Sequence, residues 1–195
     1  MILASLPFLL SMSFTPGPNN IMVATSGVNF GFRATIPHIL GVASGIGLMM
    51  LVVGFGLAQL FLALPWLHLA LKIASIVYLA YLAWRIARTS TLAGERRLAR
   101  PLTLLQAAAF QWVNVKGWVV VVGAITTYTV VGPTMPRQVL TLAALNTVIG
   151  LASVASWTAF GHYLRAYLGK ERHLRWFNYA MAALLLASIL PMLFE

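Results

Sequence analysis

Apolar residues come in six long runs along the chain, near positions 3–28, 38–60, 66–87, 105–131, 138–164 and 174–193, with short polar or basic stretches between them. Each run approaches or exceeds the roughly 20 residues that an α-helix needs to cross a hydrocarbon core. The pattern therefore predicts an all-α integral membrane protein with six transmembrane helices. The first and fourth runs are longer than a span requires, and polar or helix-breaking residues interrupt each about half-way. The first break reads Thr15-Pro16-Gly17-Pro18-Asn19-Asn20; the second reads Gln111-Trp112-Val113-Asn114-Val115-Lys116-Gly117.

The first break has a mechanical meaning. Pro16 and Pro18 have no amide hydrogen to offer the carbonyls near Met12 and Phe14, and Gly17 is expected to accept the unusual dihedrals of a broken helix. Freed carbonyls at membrane depth are tolerated only where the backbone is buried in protein or lines a polar cavity, so this segment is expected to face inward. A second half-helix would start at Pro18, placing Asn19 and Asn20 at its positive end, where a carboxylate is favoured. The second break puts Lys116 near the middle of its span. An ammonium there costs roughly 2.5–3.5 kcal/mol and must be hydrated, paired with an anion, held by carbonyls or deprotonated.

Composition removes the soluble classes. Hydrophobic residues make up 61% of the 195 positions and charged residues only 8%, against about 25% charged in soluble domains. The net charge of +10 would suggest nucleic acid in a soluble chain, but here the basic residues fall between apolar runs and fit an anionic lipid surface instead. No nucleic-acid partner is expected. Ten Lys and Arg residues, from Arg33 to Arg175, lie in the first, third and fifth loops, against Arg137 alone on the other side. The positive-inside rule then places both termini outside the cytoplasm. The chain has no Cys and no Asp, and Glu95, Glu171 and Glu195 lie in loops or at the tail. No disulfide, thiolate nucleophile or intramembrane carboxylate is available, and neither a metal nor a cofactor is expected. No basic residue precedes Met1–Phe14 and apolar sequence resumes after Asn20, which argues against a cleaved signal.

Six spans divide into two sets of three, and because three is odd the second set would be inverted relative to the first, the plan of many secondary transporters. The expected organisation is one transmembrane domain over 1–195, with repeat one at about 1–88, a cytoplasmic linker at about 89–103 and repeat two at about 104–195. The two breaks fall at corresponding places in the halves. His38 and His162, near cytoplasmic helix ends, are expected to be interfacial. Trp66, Trp84, Trp157 and Trp176 read as interfacial anchors. The Gly41 and Gly45 step reads as close helix packing and permits a homodimer.

Taken together, Thr15-Pro16-Gly17-Pro18-Asn19-Asn20, Gly31-Phe32-Arg33 and the Gly41 to Gly45 step resemble the opening of the LysE/RhtB family of amino-acid exporters. The third run, from Lys72 through Tyr78 to Leu82, is similar to that family's Lys-x-x-Gly-x-x-Tyr-Leu segment, with Ser75 in place of the Gly. Asn114-Val115-Lys116 resembles its Asn-Pro-Lys motif without the Pro. With Phe110, Gln111 and the Gly161-His162 pair, it is closer to the cysteine and O-acetylserine exporter branch. Many family members carry an Asp in the fifth span, where this chain has Asn146 and Gly150.

The resemblance implies efflux of small neutral amino acids or their derivatives across the bacterial inner membrane. Exporters of homoserine or threonine, of branched-chain or of basic amino acids, and a channel or facilitator for small polar solutes, stand as alternatives. The residues themselves suggest a midplane substrate site. Lys116 and the half-helix at Pro18, Asn19 and Asn20 would meet a carboxylate, while Gln111, Asn114 and the carbonyls around Met12, Phe14 and Thr15 would receive an ammonium. Lys72 and Tyr78 are further candidates for substrate contact or coupling. No HExxH, GxSxG or paired carboxylates are present, so no catalytic residues are expected and an enzyme is disfavoured.

Overall fold

The computed structural model describes residues 2–57, 65–89, 100–168 and 171–190, and every described element is helical. The linker cluster Gly94, Glu95, Arg96 and Arg97 lies outside the described residues, as do Lys170 and Glu195.

A 3₁₀ turn, Ile2–Ser5, leads into α1 (Leu6–Phe14), which stops where Thr15 turns extended ahead of Pro16. Helix α2 (Pro18–Phe30) opens with Pro18 in its first turn, where a missing amide hydrogen costs nothing. At Gly31 the backbone takes φ +88°, a conformation that strains any side chain. This lets α3 (Phe32–Val52) start one residue later, before a π-type turn, Val53–Leu57. Helix α4 is Pro65–Arg88. A reciprocal capping box between Thr103 and Gln106 starts α5 (Leu104–Phe110), which a 3₁₀ turn, Gln111–Val113, extends. Extended Asn114 then separates this segment from α6 (Val115–Tyr128), and the two are bent by 70°. Helices α7 (Met135–Tyr167) and α8 (Glu171–Ala187) complete the described chain.

Among the described residues, three helical stretches are long and apolar enough to cross a membrane by themselves: Phe32–Gly56, Leu69–Arg88 and Met135–Tyr167. The bent pair α5–α6 makes a fourth if it is one span. The outside is apolar as hydrocarbon demands: Leu48, Val77, Leu140, Val148 and Phe160 are each more than half exposed.

Helix α7 runs along both α2 and α3, α5 packs on α3, and α4 packs on α8. These contacts form two apolar cores. One gathers Met22, Leu79, Phe110, Val154 and Leu185; the other gathers Leu9, Met49, Val121, Ile125 and Leu142. The Gly41 and Gly45 face packs within the chain, because Cβ atoms there would fall 2.7 Å from Ala107 Cβ and 2.6 Å from Ala108 Cα. Helix α5 thus covers the face that the sequence offers to a second copy.

Candidate functional site

The two breaks meet. Lys116, in the first turn of α6, donates from Nζ to the Thr15 carbonyl at 2.8 Å, to Thr15 Oγ1 at 2.9 Å and to the Pro16 carbonyl at 3.4 Å. A cation at the carbonyl end of a half-helix is favoured by the helix dipole as well as by these bonds. Asn19 Nδ2 donates to Gln111 Oε1 at 2.8 Å, and Gln111 Nε2 donates back to Asn19 Oδ1 at 3.2 Å. Residues about 100 positions apart in sequence thereby clamp one broken helix to the other.

The carbonyls released by the prolines already have protein donors. Asn20 Nδ2 serves Ser13 and Thr15 at 2.8 and 2.9 Å. Ser153 Oγ donates to the Ser13 carbonyl at 2.7 Å, and the Trp157 indole N–H to that of Phe14 at 3.3 Å. Thr15 Oγ1 donates to the Met12 carbonyl at 3.1 Å. Trp157 is therefore tied to the break rather than anchored at an interface. A substrate ammonium reaching these oxygens must exchange with bonds in place. Gly17 also differs from expectation. Its φ of −175° and ψ of 176° are ordinary extended backbone, and what glycine supplies is space: a Cβ would sit 2.8 Å from Lys116 Cδ and 3.1 Å from Nζ.

Between the two apolar cores lies a cavity of ≈ 60 Å³, lined at the breaks by Ser13, Gly17, Asn19, Asn20, Asn114 and Lys116, and from α7 by Asn146, Gly150 and Ser153. At about 10–15 Å³ of this volume for each water, it has room for about four to six waters, roughly the space of a small amino acid. Pro16 and Pro18 line a neighbouring cavity on the far side of Lys116, toward Leu79 and Ser188. Thr15 touches the site through Lys116, whereas Tyr78 stacks on Phe110 with ring centroids 5.6 Å apart, and neither Tyr78 nor Lys72 lines the central cavity.

Two side-chain atoms in this lining lack a hydrogen-bond partner among the described residues. Asn114 Oδ1 is an acceptor, Asn146 Nδ2 is a donor, and both residues are 2% exposed. Leaving such a group unpaired costs roughly 1–3 kcal/mol. The sequence points to α7 here, since Asn146, Gly150 and Ser153 at i, i+4 and i+7 share one helix face. Among the described residues no carboxylate lines the cavity, and no group of three His, Asp or Glu able to hold a metal occurs.

Residues 10–189 match the family model of the LysE type translocator. The chain belongs to the LysE family. Members of the LysE family are transporters, not enzymes. The chain is similar to proteins named cysteine/O-acetylserine efflux protein. That of Escherichia coli O139:H28 is 30% identical over 92% of this chain and 90% of the relative. That of Klebsiella pneumoniae is 29% identical over 95% and 93%, and that of Salmonella choleraesuis 31% identical over 91% and 90%. No solved structure matches the chain.

A first prediction concerns Gly17. Gly17→Ala keeps an allowed backbone but pushes the Lys116 stem aside, so the initial transport rate should fall about tenfold, the equivalent of one charge-assisted hydrogen bond, with the melting temperature unchanged. A normal rate would show that transport does not depend on where Lys116 rests.

Proposed function

We propose that this LysE-family chain exports small neutral amino acids or derivatives, of the cysteine or O-acetylserine kind, across the bacterial cytoplasmic membrane. The observation that carries this reading is the pair of unpartnered amide atoms, Asn114 Oδ1 and Asn146 Nδ2, in one cavity beside Lys116. A zwitterion offers complementary groups at both ends. Its carboxylate would lie toward Asn146 Nδ2 and the first-turn amides of α2, with Lys116 supplying the positive field; its ammonium would lie toward Asn114 Oδ1. A cationic amino acid would bring a second positive charge beside Lys116 with no acid to offset it. The names of the relatives support a small substrate of this type.

The cycle is alternating access by six spans in two inverted three-helix repeats, the first span being α1–α2 and the fourth α5–α6, with both termini outside. The packing supports a difference between the two ends. Toward the end bearing Arg33, Arg100 and Arg165, Gly161 lies against the Ala24 backbone, Gly27 against that of Thr158, and Gly41 against that of Leu104. Gly45 still meets the Ala108 backbone, whereas further along Gly47 meets the Thr147 side chain, Gly54 that of Val139 and Gly123 that of Phe8. Backbone crossings of this kind would close the basic end, and their release would admit substrate from the cytoplasm.

Counterflow tests the reading. Proteoliposomes loaded with cysteine, serine or O-acetylserine should take up labelled O-acetylserine, and lysine-loaded vesicles should not. Asn146→Leu should reduce uptake about 10- to 100-fold, since a lost hydrogen bond to a charged group is worth roughly 1.5–3 kcal/mol. Equal counterflow with lysine, or full activity of Asn146→Leu, would overturn the assignment.

A further inference from the structure

A second cavity, also of ≈ 60 Å³, lies nearer the basic end among α2, α3, α4 and the segment leading into α5, and shares no lining residue with the central one. His38 lines it at 2% exposure, and neither ring nitrogen has a hydrogen-bond partner among the described residues. An imidazole always presents at least one N–H, and in an apolar wall a Leu would fill the same volume without a desolvated polar group. The other uncharged polar groups of the lining are engaged. Ser26 Oγ is 2.8 Å from Thr35 Oγ1, Asn29 Nδ2 donates to Asn178 Oδ1 at 2.8 Å, and Thr89 Oγ1 donates to the Arg85 carbonyl at 2.8 Å.

Among the described residues the charges lining this cavity are of one sign: Arg85 and Arg100 both line it and no Glu does. Arg85 Nη2 donates to the Arg100 carbonyl at 3.2 Å, which joins α4 to the start of the second half, and a guanidinium has five N–H groups, so donors remain. A desolvated imidazole and two guanidiniums around a space of this size suit a small oxyanion, which accepts in several directions at once.

We propose that this cavity is a second, anion-binding site for a single small oxyanion, held by His38, Arg85 and Arg100 and distinct from the central substrate cavity. The oxyanion is a carboxylate from the adjoining aqueous phase or the phosphate of an acidic lipid headgroup, and the two sources separate experimentally. The proposal does not rest on what the chain transports.

The test uses the full chain, labelled with ¹⁵N at histidine, in phosphatidylcholine nanodiscs titrated with sodium acetate against sodium chloride at equal ionic strength. Acetate should shift one imidazole saturably, and His38→Gln should remove that resonance. If His38→Gln does not fold, replacing His68, His162 and His173 in turn assigns it by elimination. Arg85→Gln and Arg100→Gln should each weaken the apparent affinity about tenfold, one charge-assisted bond apiece. If nanodiscs containing phosphatidylglycerol already show the shift and acetate adds nothing, the site is present and its oxyanion is the lipid phosphate. No shift at His38, the same shift with chloride, or a shift unchanged in both arginine variants would overturn the proposal.

Discussion

Counterflow by Lys116→Ala should fall about 10- to 100-fold, while helical content and melting temperature stay close to those of the parent. The size follows from the bonds removed. Lys116 Nζ makes charge-assisted contacts to the Thr15 carbonyl at 2.8 Å and Thr15 Oγ1 at 2.9 Å, and one such bond is worth roughly 1.5–3 kcal/mol. Folding tolerates the loss because Asn20 still serves the Thr15 carbonyl at 2.9 Å, so that oxygen keeps a protein donor. Transport should not tolerate it, because Lys116 joins the first broken helix to the second and is, among the described residues, the only charged side chain in the central lining.

A second variant separates these roles. Lys116→Arg keeps the charge, but its planar fork is larger than the ammonium that Gly17 accommodates. If charge alone matters, Lys116→Arg should transport normally. If the fit at the break matters too, it should fall between the parent and Lys116→Ala. Parent-like counterflow by Lys116→Ala would remove Lys116 from the mechanism altogether.

The breaks themselves were legible because their causes are local. Two prolines without amide hydrogens, and a Lys within an apolar run, need no tertiary information to be read as interruptions. What Lys116 meets was not legible, since its partners lie 101 residues away. His38 shows a different failure. Its place near the start of an apolar run suggests an interfacial residue. But Gly31 at φ +88° starts α3 at Phe32, so His38 stands almost two turns inside the helix and is buried. For Gly17 the sequence suggests a dihedral reason, whereas its ordinary extended backbone leaves only the steric one, set by the Lys116 stem beside it. Asn146 carried a sequence signal in the face it shares with Gly150 and Ser153. Small polar residues in a span ordinarily read as helix packing, and only the unpartnered Nδ2 distinguishes this one.

Enlarging Gly161 should force apart the backbone crossing of α2 and α7 at the basic end. A Cβ there would collide with the Ala24 carbonyl oxygen and lie 3.1 Å from Ala24 Cα, while the reciprocal Gly27 faces the Thr158 backbone and the His162 nitrogen at 3.1 Å. These obstacles are backbone, which cannot swing aside as a side chain can, so Gly161→Val must separate α2 from α7. Overpacking of this kind costs about 1–3 kcal/mol, which lowers the melting temperature of a chain of this size by roughly 2–12 °C. The proposed cycle adds an expectation that destabilisation alone does not. If the crossing closes the cytoplasmic side, holding it apart exposes the central cavity to that side. The absence of native Cys allows a single reporter thiol, and Gly150 is the place for it. Gly150 lines the cavity, and a Cβ there meets nothing nearer than Ile46 Cγ2 at 3.9 Å. In the Gly150→Cys parent, a membrane-impermeant maleimide should label from the outside far faster than from the cytoplasmic side, comparing right-side-out with inverted vesicles. With Gly161→Val added, cytoplasmic labelling should rise about tenfold or more, since a shift of about 1.4 kcal/mol between two states changes their ratio tenfold. A lower melting temperature with unchanged sidedness of labelling would leave Gly161 a packing residue and place the cytoplasmic closure elsewhere.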